Sequence, residues 1–520
     1  ILKDLSGKFC LADNGTLNGR LEYPRILVGN VVQGALAPGG SEEPDDVLAA
    51  WDTSFYSSDD DPWTIPCHSD LLSQEQCANL SLRLRGYPTR AVKGHKWDGT
   101  ELCWRRKQSH YGAIHFHDDD VYDFHWQPSM KWHVPEGTPS GIYIMRFQDD
   151  EKNEEALPLF ICAEKEAVNE SQAPKKLKKS KKLAVLMPTF TYVIYGNHAR
   201  PDFEKDLWTA RSQESPGSYP YNPCMYPVYG HSTYDFHSDS SGIHFASHLR
   251  PLFNLRPGYI TFSRIGGYND DNASTKGQSE SFCSGLRHFP ADSHLIFFLH
   301  HHNIDYDIVT DHELHREGAS ILAPYQTVMT TSHPEYHTLE SLNALQNFRD
   351  DYGGNLMYLG GNGFYWRIAA SPSTTSNPNK DDSCSLLEIR RCESGVRTWA
   401  ADCGEYYNFL DGGNYGGLWR NSGRPPWKLT GIAFSSQGSF VGKPYHRTCF
   451  DNPTVTDWVF RGITDTELGS FGLSGDGAAG YELDSIDPAD LKVQDGEIVL
   501  LAQAYTNEDK RFILVPEDGM

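Results

Sequence analysis

The chain has 520 residues and a mass of 58.5 kDa, with 38% hydrophobic and 12% aromatic residues, a composition that builds packed cores and excludes disorder as the main state. At about 150 residues per domain the length points to three or four domains. Acidic residues outnumber basic ones by 69 to 46, and the formal net charge of −23 argues against nucleic acid or an anionic lipid surface as a partner.

In chain order, residues 1–95 carry short strand-like pieces such as RILVGNVVQGALA and SLRLRG, broken by Gly, Pro and Asp, and read as part of a β-sandwich. Residues 96–170 continue with YGAIHFH, MKWHV, SGIYIMRF and ALPLFICA, whose alternation and turn pairs predict a second, small β domain. The segment PKKLKKSKK, within residues 171–182, reads as a solvated basic linker. From residue 183 the pattern changes. LAVLMPT is a continuous apolar run ending at a proline, as expected of a strand buried on both faces. Then DSHLIFFLHHHN reads as a helix, DYDIVTD and QTVMTTS as strands, HTLESLNALQNFRDDYGG as a helix stopped by glycine, and NLMYLGG as a strand. This alternation predicts a doubly wound α/β sheet in a domain of residues 183–520. Beyond Trp366, SLLEIRR, LTGIAFS, TDWVFRGI, EIVLLAQAY and RFILVP read as β extensions of the same domain.

No apolar run approaches the ~20 residues needed to cross a bilayer. The eleven cysteines form no CxxC pair and read as reduced thiols of a soluble, cytoplasmic protein. The sequons at Asn14, Asn79, Asn169 and Asn272 read as chance matches, and the opening Ile1 has no secretory pattern behind it.

Ligands of an open parallel sheet bind beyond the carboxyl ends of its strands. Three loops hold such positions: Thr189 to Asn197, Thr331 to His337, and Gly360 to Arg367. The turn His333-Pro334-Glu335 offers an imidazole and a carboxylate, enough for a metal ligand beside a general base, although Glu335 could equally serve the first turn of the next helix. The loop Gly360 to Arg367 sets Asn362 among glycines that permit close backbone approach. No nucleophilic cysteine of the glutamine-amidotransferase kind lies in the strand-to-helix turn, and GxSxG, Walker A, GxGxxG and HExxH are absent. His115-Phe116-His117 followed by three aspartates reads as a strand and its acidic turn rather than a metal site. His300, His301 and His302 point in different directions from a helix end.

Several long blocks in a fixed order carry a family resemblance: PTRAVKGHKWDG, YGAIHFHDDDVYD, VPEGTPSGIY, PTFTYVIYGN, STYDFHSDSSG, DHELHREG, HPEYHT, LGGNGFYWR and GEYYNFLDGGNYGGLWR. Over roughly residues 85–500 the chain resembles the large, catalytic subunit of the N,N-dimethylformamidase family. The resemblance implies a lectin-like β-sandwich and a small β domain ahead of an amidotransferase-like, doubly wound α/β catalytic domain. It also implies a chain cut short at both ends. The implied activity is hydrolysis of N,N-dimethylformamide, or a similar small N-substituted formamide, to formate and an amine.

The implied cofactor is one mononuclear Fe³⁺ held by two tyrosinates and a glutamate. Carried over by motif, these are Glu335, Tyr234 and a tyrosine of TYVIY. Spacing to Tyr234 favours Tyr192, with Tyr195 as the alternative. His333, Asn362 and Glu482 match residues around the metal, and Phe364 and Tyr365 would wall the pocket. The implied partners are a small unrelated subunit in an α2β2-type assembly and a second large subunit. A stretch from Asn269 to Phe289 reads as an insertion near the site. Two other functions are weighed, a non-catalytic lectin-like scaffold and a zinc or nickel amidase built on the His115 and His117 cluster.

Overall fold

The computed structural model describes residues 17–27, 47–54, 61–152, 154–163, 181–198, 226–255, 288–373, 383–391, 401–438, 442–449, 458–470, 477–479, 482–486, 498–505 and 511–514. The basic linker up to residue 180 and most of the stretch from Asn269 to Phe289 lie outside these residues. The chain forms two compact units, each assembled from separated segments. Unit one takes residues 1–129, 225–251 and 368–417, and unit two takes 130–224, 252–367 and 418–520.

Unit one is built from short antiparallel strands. Ala113–Phe116 pairs with Gly19–Leu21 on one side and with Thr89–Val92 on the other, and Val47–Trp51 lies between Arg25–Leu27 and Cys67–His68. Leu386–Ile389 pairs with Phe245–Ser247. One apolar cluster joins Tyr122, Phe245 and Leu386, with Trp63, Tyr87 and Leu410 packed against it. Residues distant in sequence thus share one core.

In unit two, the parallel sheet that positions the candidate site contains β1 (Lys181–Met187), β2 (Asp307–Thr310), β3 (Tyr325–Thr330) and β4 (Asn355–Met357). Helices α1 (Thr189–Ile194), α2 (Phe289–His301), α3 (Asp311–Glu317) and α4 (Leu339–Asp350) connect or follow them. The strand order is β2-β1-β3-β4, and all three pairings are parallel. Burial on both faces explains why β1 is apolar from Leu183 to Met187, successive side chains pointing to opposite faces. Ala184 and Leu186 face a core with Val309, Val328, Leu342, Leu345 and Phe348, whereas Val185 and Met187 face Ile308, Phe289 and Leu299. Both faces are therefore covered.

The helices have identifiable starts. Thr310 caps α3 through a box with Glu313, and Thr338 caps α4 through a box with Ser341, each such cap contributing about 1 kcal/mol. Helix α2 begins three residues earlier than the sequence pattern suggests, because Pro290 sits in its first turn with a preset φ.

Some expected strands are absent among the described residues. Residues 130–134 form none, and Trp132 and Val134 are exposed, since prolines at 128 and 135 bracket a segment with no pairing partner. Residues 458–462 form a short helical turn closing at Gly462, whose φ is +79°. No helix among the described residues is long and apolar enough to cross a membrane. Cys67, Cys77, Cys103, Cys162, Cys384, Cys403 and Cys449 are free thiols.

Candidate functional site

The order β2-β1-β3-β4 contains a switch point. The chain leaves β1 for one neighbour and returns to β3 on the opposite side, so the crevice opens beyond the carboxyl ends of β1 and β3. Those ends carry the loops that begin at Pro188 and Thr331. Helix α1 starts directly after Pro188, and Tyr195 closes it. The Tyr195 hydroxyl donates to Glu335 Oε2 at 2.8 Å. His333 Nε2 lies 2.9 Å from the same oxygen. A phenol, an imidazole and a carboxylate thus meet at one atom, and all three residues are buried at 4% to 8% exposure. The Glu335 amide donates to Thr191 Oγ1 at 3.3 Å, fastening the β3 loop to α1.

The third loop is tied to the second by backbone bonds. Gly361 N donates to Ser332 O at 3.1 Å, Phe364 N to Pro334 O at 2.8 Å, and Tyr365 N and Trp366 N to Glu335 O at 3.0 Å. A Cβ at Gly360 would fall 2.6 Å from Ser332 O and 2.7 Å from Pro334 Cδ, so only glycine lets the two loops approach this closely. Asn362 and Phe364 both take positive φ, 54° and 57°. Non-glycine residues in this region cost of order 1–3 kcal/mol each, and such strain concentrates at functional sites. Asn362 is buried, and its Oδ1 has no hydrogen-bond partner among the described residues.

Of the two tyrosines left open by the TYVIY motif, Tyr195 is the one that reaches Glu335. Tyr192 turns elsewhere, and its hydroxyl donates to Asp292 Oδ2 at 2.5 Å. Burial raises the Tyr192 hydroxyl well above the ordinary phenol range, and the Asp292 carboxylate adds to the effect. Tyr192 is therefore a neutral donor. Tyr234 belongs to unit one, where the Arg391 guanidinium lies 4.5 Å over its ring. Glu482 lies in the strand Glu482–Ser485 of unit two, half-buried, two positions from Asp484 on the same strand face. Phe364 packs into the core, stacked on His337 at 4.6 Å, and Tyr365 stands against Trp366 and Phe434.

Three residues around the site carry no motif signal. Asp292 accepts from Ser332 N at 2.8 Å and Ser332 Oγ at 2.5 Å while holding Tyr192, so one buried carboxylate anchors both loops. Burial raises its pKa against those hydrogen bonds. The ring of His288, at φ 57°, lies tilted by 37° against Tyr195 at 4.2 Å and stands 6.0 Å from His333. Asp484 accepts from Tyr358 Oη at 2.7 Å and from Asn362 N at 3.4 Å, and burial raises its pKa as well. The ring of Tyr195, which meets Glu335, is thus set among those of His198, His288, His333 and Tyr336. Asp484 stands two positions from Glu482, and His288 lies at the end of the stretch from Asn269 to Phe289, but neither residue was itself singled out by the sequence.

A buried carboxylate, imidazole and phenol at the switch point of a parallel sheet are groups that acid–base or metal-assisted chemistry can use. Residues 89–515 match the family model described as N,N-dimethylformamidase beta subunit-like, C-terminal, and the chain belongs to that family. It is 30% identical over 523 residues to the N,N-dimethylformamidase beta subunit of Paracoccus aminophilus, and 29% identical over 508 residues to that of an Alcaligenes species. These alignments cover 98% and 96% of this chain, and the chain spans 60% of the length of each relative. The family model and both relatives are named for the beta subunit, so the expected assignment to a large, catalytic subunit is corrected to the beta-subunit family.

Proposed function

We propose that this chain takes part in the hydrolysis of N,N-dimethylformamide or a similar small N-substituted formamide, giving formate and an amine, and that its own unit-two cluster carries the chemistry with one ferric ion. The observation that supports this reading most is the meeting of Tyr195, His333 and Glu335 at one carboxylate oxygen beyond the ends of β1 and β3. The donor set fits the ion. Fe³⁺ is a hard cation, and a phenolate and a carboxylate are hard anionic donors that neutralise part of its charge. A bound ferric ion would supply Lewis acidity toward a formyl oxygen and toward water. Tyr195 and Glu335 would hold it. The further phenolate implied by the sequence, Tyr234, lies in unit one, and the geometric support here comes from unit two alone.

The remaining roles belong to side chains. His333 accepts a proton from the attacking water and returns it to the amine nitrogen as the C–N bond breaks. Asn362 donates a hydrogen bond to the carbonyl oxygen as negative charge develops there, its backbone held by Asp484. The rings of Tyr195, His288 and Tyr336 offer an apolar wall to N-methyl groups. Because both relatives are named as beta subunits, we place the chain in a hetero-oligomer with an unrelated second subunit, of α2β2 type. Formate release from N,N-dimethylformamide by the iron-loaded assembly tests the reading. A Glu335→Gln variant should lose at least ~10³-fold in kcat. Undiminished turnover by that variant would assign catalysis elsewhere and leave this chain a scaffold.

A further inference from the structure

The acidic turn after Ala113–Phe116 does more than end a strand. Within unit one it meets the segment 231–241, and three imidazoles come together: the His117 ring stacks on His237 at 3.6 Å with an interplanar angle of 3°, and lies 4.1 Å from His115. His115 is already satisfied by Asp239 Oδ2, 2.8 Å from its Nε2. His117 is not. Its Nε2 pairs with Ser241 Oγ at 2.9 Å, while its Nδ1, in a side chain 2% exposed, has no hydrogen-bond partner among the described residues. That nitrogen faces Asp120 Oδ2 at 3.5 Å, and His237 Nε2 faces Asp120 Oδ1 at 3.7 Å.

We propose that His117 Nδ1, His237 Nε2 and Asp120 form a binding site for one divalent cation of the zinc class, which cross-links the segment 225–251 to the strand region of residues 113–120. Hydrogen bonds from ring nitrogens run to about 3.2 Å, so 3.5 and 3.7 Å are too long to be direct bonds. Each runs to a different Asp120 oxygen and is close to the edge of a coordination tetrahedron, about 3.4 Å when metal–ligand bonds are about 2.0–2.1 Å, so a small turn of the carboxylate would bring one oxygen to both nitrogens. The three donor atoms lie within 4.8 Å of one another.

The surrounding contacts orient each ligand as metal sites require. Asp119 Oδ1 takes His237 Nδ1 at 2.6 Å, leaving Nε2 to ligate. Ser241 holds the far nitrogen of His117, and the Tyr122 hydroxyl donates to Asp120 Oδ1 at 2.8 Å. Coordination asks the two stacked rings to tilt apart, because an ion lies in the plane of each ring that binds it. A fourth position remains for water.

The test uses the full chain after chelator treatment, titrated with Zn²⁺ by calorimetry and with Co²⁺ by visible absorption. Both are repeated in a Tyr195→Phe, Glu335→Gln background so that an ion at the unit-two cluster is not counted. One Zn²⁺ should bind, raise the melting temperature, and give with Co²⁺ the visible bands of a low-coordinate site. His117→Ala and His237→Ala should each weaken Zn²⁺ at least ~100-fold, Asp119→Asn about 10- to 100-fold, and His115→Ala less than about 3-fold. Should an alanine variant lose its cooperative melt, Asp119→Asn decides, because it keeps the side chain's shape and leaves all three ligands in place while weakening the support of His237. The other Asp119 oxygen accepts from Ser238 N at 2.9 Å and faces His231 Nε2 at 3.6 Å, so the melt is read beside the affinity. Failure of the chain to bind Zn²⁺, or unchanged affinity in His237→Ala or Asp119→Asn, would overturn the proposal.

Discussion

At the scale of single residues, the account turns on which hydroxyl meets Glu335. Tyr192 and Tyr195 are three positions apart, and spacing to Tyr234 favoured the first. Sequence could not show that α2 supplies a carboxylate, Asp292, which takes Tyr192 away from the crevice and leaves Tyr195 to face Glu335. Tyr192→Phe should leave the crevice chemistry in place but strand part of a buried carboxyl, lowering stability by about 1–3 kcal/mol in denaturant titration. An unchanged melt would mean that the Asp292 bond carries no weight. Asn362→Ala should lower kcat by about 10²- to 10³-fold with a smaller change in KM, the pattern of a donor used mainly as charge develops. A change confined to KM would reassign Asn362 to substrate binding. Glu335 and His333 were legible because they sit within one short turn. Asp292 and Asp484 were not, since both arrive from remote elements.

At the scale of elements, the parallel strands were legible in the sequence because burial on both faces removes polar alternation, as in β1. The strand order was not, and with it went the reason the loops after β1 and β3 share a crevice. The fit between the second and third loops depends on Gly360. Gly360→Ala would press a methyl group into Ser332 O and Pro334 and displace the His333 loop. A displacement near 1 Å should cost about 10²-fold in kcat while the fold persists, measured by turnover beside a thermal melt.

Asp311, at the start of α3, offers a separate check. It is buried, accepts from Phe190 N at 3.2 Å with one oxygen, and has no partner for the other among the described residues. Burial raises its folded-state pKa well above the ordinary value. The folded chain therefore binds the proton more tightly than the unfolded one, and this group's contribution is best below pH ~4 and declines as pH rises from there toward the folded pKa. Asp311→Asn keeps the acceptor and removes the charge. Its stability advantage over the parent should grow between pH 4.5 and 7.5, to roughly 1 kcal/mol or more. An advantage independent of pH would show that Asp311 is not the titrating group.

At the scale of the whole molecule, both units interleave segments that sequence order separates, and the pattern along the chain could not have paired residues 1–129 with 225–251 and 368–417. A fragment of residues 1–129 alone would leave Tyr122, Trp63 and Tyr87 without the buried Phe245 and Leu386, so it should show no cooperative melt. The most direct measurement is the visible spectrum and iron content of the full chain after loading with ferric ion. Phenolate bound to Fe³⁺ absorbs visible light, so the parent and Tyr192→Phe should be coloured and hold one iron per chain, while Tyr195→Phe loses most of the band and weakens iron retention. A colourless, iron-free parent, or a Tyr195→Phe variant with an unaltered band, would contradict the account.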